Sequence, residues 1–215
     1  MFYGDTMVSD SSTTQQTYLP LSVVIATLGG ETLRGTIEQL NGGPLVPAEI
    51  LVCIPEEDAF RVTEIAFPNV KVIKTNCRGQ VAQRAIGFQL AQHPIVLQMD
   101  DDILLQEDAL HELTSEIHRL GYGNALAPVY NDAVTGRSIH DLGDGAVGWL
   151  KSLHAYVVCG APWGIKRMGV VTLGGFNYGV NGKYSGLEPL EVQWLPGGCV
   201  LHYKHDLIIE SFYPF

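Results

Sequence analysis

Apolar runs and amphipathic stretches alternate along the first half of the chain. The runs are short and rich in Val, Ile and Leu, which is typical of buried strands. Between them, apolar residues recur at spacings of three and four, as in helices packed on a core. A fourth helix of this kind carries Leu110, Leu113, Ile117 and Leu120. The other predicted elements are strands at 21–27, 49–54, 70–74 and 94–99 and helices over 31–40, 57–66 and 80–92.

Strands separated by helices of this length indicate βαβ units and a mostly parallel α/β sheet flanked by helices. In open parallel sheets the ligand crevice lies beyond the carboxyl ends of the strands. Thr27, Glu56, Thr75 and Asp100 all fall at such ends. The pattern therefore predicts a polar edge on which a ligand would bind.

Beyond Gly121 the pattern gives way to a Gly-rich region with short strands and loops, without internal repeats or a clear linker. We therefore expect one domain over 18–215, with an irregular Gly-rich half. A mobile tail rich in Ser, Thr and Gln is expected at 1–17. With 215 residues, of which 46% are hydrophobic, such a domain can bury a sizeable core.

The charge balance excludes one large class of partners. Acidic residues outnumber basic ones by 23 to 13, for a net charge of −10, which disfavours nucleic acid. No apolar stretch approaches about 18 residues, so no transmembrane segment is expected. The N-terminus has neither the basic nor the apolar region of a secretory signal. Four widely spaced cysteines favour reduced thiols and a cytoplasmic protein, with attachment to a membrane surface left open.

Three consecutive aspartates, Asp100, Asp101 and Asp102, follow the fourth predicted strand. Because strand side chains alternate, Asp100 and Asp102 are expected to point one way and Asp101 the other. Carboxylate oxygens suit a hard divalent cation such as Mg²⁺ or Mn²⁺, which often bridges to substrate phosphates. The alternative is a solvated acidic turn that caps the next helix.

The second half has two tryptophans whose positions matter for a site. Trp194 is read equally as a core residue or as an exposed aromatic that could stack on a ligand, whereas Trp149 is expected in the core. Gly197 and Gly198 would let a substrate approach the backbone closely, or form a plain tight turn. A metal site is not expected in the His202-to-Asp206 segment, because histidines three apart on a strand do not converge.

Four segments together resemble glycosyltransferase family 2, whose fold is the nucleotide-diphosphosugar-binding fold called GT-A. The first strand, 21–27, is similar to the opening strand of that family. Residues 76–85 resemble its N-x-G-x-x-x-A-R-N element, with Ala85 in place of the final Asn. Residues 94–102 resemble the strand that leads to its D-x-D motif, and 191–199 resemble the stretch before its acceptor site.

The resemblance implies an inverting transfer of a hexose from a UDP-, GDP- or dTDP-linked donor to a glycan, lipid-linked or protein acceptor. Within that site it implies nucleotide-sugar contacts from Thr27, Glu56, Arg84, Asp100 and Asp101. The usual Asp-Asp-Gly-Ser of the family after the second strand is replaced here by 54–57, Ile-Pro-Glu-Glu. Arg84 is read equally as a pyrophosphate contact or as a helix-surface arginine paired with a carboxylate.

For the cofactor, the resemblance implies Mg²⁺ or Mn²⁺ held by Asp102 and Asp100. On the acceptor side it implies Trp194, Gly197 and Gly198. The developing charge on the leaving diphosphate gives such a cation a physical role.

The catalytic base is the element without a clear match. Members of the family carry an acidic base shortly after the Gly-Gly-Cys element, and only Asp206 and Glu210 follow it here. We expect that the sequence is a C-terminal truncation and that the base lies beyond Phe215. Two alternatives remain open: a non-catalytic nucleotide-sugar-binding module, and a nucleotidyltransferase. The second is disfavoured because 28–31, Leu-Gly-Gly-Glu, has no nearby Lys.

Overall fold

A computed structural model describes residues 16–140, 145–164, 168–182 and 188–208. The first half follows the predicted alternation of strands and helices, and the second half contains short strands and one longer helix. The strands are β1 Thr17–Ala26, β2 Leu45–Pro55, β3 Val70–Thr75, β4 Ile95–Met99, β5 Ala125–Leu126, β6 Val170–Val171, β7 Asn177–Tyr178 and β8 Cys199–Tyr203. The α-helices are α1 Thr32–Leu40, α2 Gln80–Leu90, α3 Ala109–Leu120 and α4 Gly145–Val157, and 3-10 helices cover Glu56–Val62 and Lys204–Asp206.

Six strands form the central sheet in the order β3-β2-β1-β4-β8-β5. The four strands from β3 to β4 are mutually parallel, and β8 is antiparallel to both of its neighbours. The predicted α/β class with a mostly parallel sheet and flanking helices is therefore confirmed. The chain adds β2 and β3 on one side of β1 and then returns to place β4 on the other. Such a reversal leaves a crevice at the carboxyl ends of the two strands.

Two apolar layers cover the two faces of the sheet. On one face α1 and α3 pack over β1 and β4, with Leu33, Ile37 and Ile117 almost fully buried. On the other face α2 packs through Phe88 against Val24 and its neighbours. Residues just after β4 therefore reach α2 on one face and α1 on the other.

The first two strands are longer than predicted, because two prolines interrupt the sequence pattern but not the sheet. β1 begins at Thr17, inside the predicted tail, whose residues 1–15 lie outside the described part of the chain. The β1–β2 register shifts by one residue between Leu19 and Ser22, where Pro20 and its neighbour Pro47 lie. Proline cannot donate to the ladder, so an irregularity at this point lets both strands continue.

Two helical predictions need correction. The helix predicted at 57–66 is a shorter 3-10 helix, Glu56–Val62, in which Ala59 and Val62, one 3-10 turn apart, are both buried. Trp149 was expected in the core, but it is 58% exposed on α4. This helix packs through the small residues Gly148 and Ala155, which leaves its tryptophan outside.

Candidate active site

Thr27 and Asp101 join the carboxyl ends of β1 and β4 at the reversal point. The Thr27 hydroxyl donates to Oδ2 of Asp101 and accepts from the Gly29 N–H at 2.9 Å. The Thr36 hydroxyl of α1 donates to the Asp101 backbone carbonyl at 2.9 Å. Asp101 thus faces α1, away from Asp100, as the strand alternation predicts.

Asp100 faces the opposite side of the sheet, towards α2. Its Oδ1 accepts hydrogen bonds from Nη2 of Arg84 and from Nε2 of Gln80, the latter at 2.6 Å. Burial raises the pKa of Asp100, the Arg84 guanidinium opposes that rise, and the neighbouring aspartates add to it. Burial also lowers the pKa of Arg84, which the charge of Asp100 counteracts. Each charge of the pair thus stabilises the other in a partly dry position.

Asp102 differs from its neighbours because it is exposed. Its carboxylate makes no hydrogen bond or ion pair with any other described residue. Within the described ranges, no group of three or more His, Cys, Asp or Glu is placed to hold a metal ion by itself. A cation here would therefore need ligands from a substrate or from water, which Mg²⁺ commonly has.

The turn Gly197–Gly198 rests directly on this carboxylate cluster. The Asp100 N–H donates to the Gly198 carbonyl at 2.7 Å, and Nε2 of Gln98 donates to the Gly197 carbonyl at 2.7 Å. A Cβ on Gly198 would lie 3.1 Å from Oδ2 of Asp100 and 3.0 Å from Cδ1 of Ile103. A larger residue would therefore require Ile103 or Asp100 to shift, and glycine lets the turn before β8 lie beside the end of β4.

A family model described as glycosyl transferase family 2 matches residues 22–144. The chain belongs to this family. The match covers β2, β3 and β4, the second half of β1 and the three aspartates. The predicted family is therefore confirmed, and the nucleotidyltransferase alternative is set aside.

Solved structures with similar folds include S. aureus TarS 1-349, with a TM-score of 0.43 and 18% identity over 57% of this chain and 38% of that one. The same protein in complex with UDP-GlcNAc gives 0.43 and 18% over 57% and 37%. The mannosyltransferase PcManGT from Pyrobaculum calidifontis, in complex with GDP-Man and Mn²⁺, gives 0.44 and 16% over 53% and 36%. The chain thus spans well under half the length of these proteins. No curated protein sequence matches it significantly.

Gln83 was not predicted, although it connects the elements around the candidate site. It takes the place of the alanine in the N-x-G-x-x-x-A-R-N element, which was the available signal. Its Nε2 donates to the carbonyls of Thr27 at 2.9 Å and Cys53 at 2.7 Å. Its Oε1 accepts from the Gly79 N–H at 3.1 Å. A buried glutamine thus ties the ends of β1 and β2 to the start of α2.

The acidic residues after β2 divide into exposed and buried positions. Glu56, the predicted nucleotide contact, is exposed at the start of the 3-10 helix. Asp58 is buried instead and accepts from Nη1 of Arg78 at 2.9 Å, with Nε of Arg61 at 3.5 Å. The sequence did not single out Asp58, because a buried acid and an exposed one look alike within an acidic run.

The remaining candidates make their described contacts with other parts of the chain. Trp194 is half-buried, and its Nε1 donates to the Tyr178 carbonyl at 3.1 Å beside β7. Asp206 follows β8, which runs antiparallel to β4 and pairs Cys199 with Met99 at the site edge and Tyr203 with Ile95 at the other end. Asp206 therefore lies at the opposite edge of the sheet from the aspartates, where it accepts from the Gly123 N–H at 2.7 Å. Glu210 lies outside the described residues.

Proposed function

We propose that this chain binds a nucleotide-diphosphate sugar where β1 and β4 end, and serves a metal-assisted, inverting transfer of the hexose to an acceptor hydroxyl. The observation that carries the proposal is the contact of Thr27 with Asp101 at the strand reversal, beside the Arg84–Asp100 pair. Polar side chains from separate strands and helices converge there on the crevice that open parallel sheets offer to ligands. The donor would be UDP-, GDP- or dTDP-linked.

Asp102 and Asp100 are the residues that would hold Mg²⁺ or Mn²⁺. Their hard oxygen donors fit such a cation, and Asp102 is exposed and unpaired within the described part of the chain. When bound, the cation supplies positive charge that stabilises the leaving diphosphate.

Arg84 would orient Asp100 and add a fixed positive charge near the diphosphate. Arg84 is paired with a carboxylate, as one sequence interpretation expected, but it is buried and not on the helix surface. Its guanidinium also lies beside the Gly197–Gly198 turn, which supports the proposed contact with the diphosphate. The Arg84 side chain is only 11% exposed and is held by its ion pair with Asp100. Its charge therefore requires little reorganisation when a ligand binds.

Gly197 and Gly198 would form the wall between donor and acceptor. Their backbone is held by Gln98 and Asp100, so that the turn stays against the end of β4. Absence of side chains at this turn would let an acceptor approach the donor sugar closely. The acceptor would be a glycan, a lipid-linked sugar or a protein.

A second candidate is a module that binds the donor without efficient transfer. The position of Asp206 favours it, because the carboxylate is separated from Asp100 by the length of β4, about 17 Å. We expect transfer by this chain to be about 10²–10⁴-fold slower than with a positioned base. Asp206→Asn should leave any residual rate unchanged in a transfer assay. A large further loss of rate would show that Asp206 acts as the base.

The proposal is tested by calorimetric titration of the chain with UDP, GDP and dTDP, with Mn²⁺ or Mg²⁺ and with a chelator. We expect at least one nucleotide to bind, and to bind much more tightly with the metal. Equal affinity in metal and chelator would remove the metal from the proposal. No binding of any of the three would contradict the proposed function itself.

A further inference from the structure

In helix α4, Gly145–Val157, two small residues are buried and most of the large apolar residues are exposed. Gly148 and Ala155 are buried, whereas Trp149 is 58% exposed and Leu150 62% exposed. Amphipathic helices of water-soluble proteins normally bury their large apolar side chains. The outer side of α4 is therefore an apolar surface that the described chain does not cover.

The turn between β6 and β7 extends this surface. Leu173 at its tip is fully exposed, and Phe176 is about half exposed. A Cβ on Gly174 would lie 3.4 Å from the Cys159 carbonyl, so the turn rests against the end of α4. The rings of Tyr156 and Trp163 meet edge to face with centroids 5.7 Å apart. We define the α4 face by its exposed members: Trp149, Leu150, Tyr156, Val157, Val158, Trp163, Leu173 and Phe176.

The charges of the chain are distributed unevenly along its sequence. Residues 145–187 contain none of the 23 acidic residues of the chain, although four of its 13 basic residues lie there. One of these, Lys151, is exposed on α4 itself. The segment is therefore positive within a protein whose net charge is −10. The apolar exposure and the positive charge are independent features of the same segment.

We propose that the α4 face binds the surface of a bilayer that contains anionic phospholipid. Exposed Trp and Tyr favour the headgroup level of a membrane, and exposed Leu and Val favour the boundary with the acyl chains. The absence of acidic residues from 145–187 lowers repulsion from anionic headgroups, and the exposed Lys151 adds attraction. A second copy fits less well, because two such faces would bring positive segments together.

This surface belongs to α4 and the β6–β7 turn, and the inference does not depend on the proposed donor site. A protein bound in this way lies on the membrane without crossing it. No helix in the described ranges is long and apolar enough to span a bilayer. The attachment would keep the Gly-rich half of the domain at the lipid surface.

The test is flotation of the 215-residue chain with vesicles of phosphatidylcholine alone or mixed with phosphatidylglycerol. We expect binding to the mixed vesicles and weaker binding to the neutral ones. Leu173→Glu should lower the partition onto mixed vesicles about tenfold, because a fully exposed Leu would lose its place in the bilayer. Val134→Glu is the matched control, since Val134 is 93% exposed but lies outside the α4 face, and it should bind as the parent chain does.

The electrostatic part has its own variant. Lys151→Glu should lower binding to the mixed vesicles about tenfold and leave binding to neutral vesicles unchanged. Emission from the exposed tryptophans of the unmodified chain should shift to the blue on the mixed vesicles. That shift remains informative even if a variant fails to fold.

Several outcomes would overturn the proposal. They are absence of binding and of any emission shift with mixed vesicles, and equal effects of Leu173→Glu and Val134→Glu. A different result would assign the α4 face to a second copy of the chain. In that case the parent chain would not bind vesicles, and sedimentation would show a dimer that Leu173→Glu abolishes.

Discussion

At the scale of single residues, the site depends on two neighbouring carboxylates that serve opposite faces of one sheet. Asp101 is held by Thr27 on the α1 side, and Asp100 by Arg84 on the α2 side. Asp102 is left exposed. This arrangement gives the three aspartates different tasks: Asp101 joins structural elements, Asp100 is held in place, and Asp102 is available to a ligand.

Removing the arginine should therefore destabilise the fold. Arg84→Met leaves the carboxylate of Asp100, which is 30% exposed, without its cation. We expect the free energy of unfolding to fall by about 1–3 kcal/mol, measured by urea denaturation. Arg34→Met is the control, because its pair with Glu38 is exposed, and it should cost less than about 0.5 kcal/mol. Equal losses in the two variants would contradict a stabilising role for Arg84.

At the scale of elements, two helical glycines have opposite surroundings. A Cβ on Gly87 of α2 would clash with Val24 and lie 2.9 Å from Sγ of Cys53. A Cβ on Gly35 of α1 would meet nothing within 4 Å. Gly87 is thus the point at which α2 approaches the sheet, and Gly35 is only a weak position in its helix.

Alanine should separate these two cases. Gly87→Ala should lower the free energy of unfolding by about 1–3 kcal/mol, because the core cannot accept the extra atom. Gly35→Ala should raise it by up to about 1 kcal/mol, because alanine favours the helix. Thermal or urea unfolding of both variants gives the comparison. A Gly87→Ala chain as stable as the parent would show that α2 does not lie against β1 and β2 as described.

Glu49 connects three elements at the other edge of the sheet and should give the fold a measurable pH dependence. Burial alone would raise its pKa, but hydrogen bonds from Lys71, Ser22 and the Gln92 N–H bring the pKa below its ordinary value. Because the folded pKa is lowered, the stabilisation is present above the ordinary value of about 4.3 and is lost as the pH falls through the folded pKa. Glu49→Gln should cost about 1–2 kcal/mol at pH 7 and less at pH 3.

Urea denaturation at several pH values tests this expectation. Glu38→Gln is a suitable control, since Glu38 pairs with Arg34 at an exposed position, and its effect should stay within about 0.5 kcal/mol. A loss for Glu49→Gln that is equal at pH 7 and pH 3 would show that the charge of Glu49 does not stabilise the fold.

At the scale of the whole molecule, the predicted sheet and its polar edge followed from strong local signals. Apolar runs marked all four parallel strands, and alternation gave the opposite directions of Asp100 and Asp101. The first parts of β1 and β2 were not predicted, because Pro20 and Pro47 interrupt the strand pattern. The register shift that accommodates these prolines cannot be recognised from a single sequence. The prediction that Trp149 lies in the core was wrong. The sequence pattern shows that α4 is apolar, but it does not show whether the small or the large residues of the helix face the core.

The contacts that complete the site could not be predicted because they join distant parts of the chain. Gln83 reaches the ends of β1 and β2, and Asp100 meets the Gly198 turn about a hundred positions later in the sequence. A glutamine on a helix is usually a surface residue, so its burial becomes evident only once the strands are placed. The site is thus encoded partly in local pattern and partly in topology.

The most direct test of the central claim is Mn²⁺-dependent nucleotide binding by Asp102→Asn, measured by calorimetry beside Asp101→Asn and the nearby exposed control Glu107→Gln. Asp102→Asn removes a charge at nearly constant size, so it should weaken the metal-dependent binding most, by about tenfold or more. Asp101→Asn should retain more of it, and Glu107→Gln should bind as the parent chain does. If Asp101→Asn abolished binding while Asp102→Asn bound normally, the metal and nucleotide site proposed at the end of β4 would be wrong.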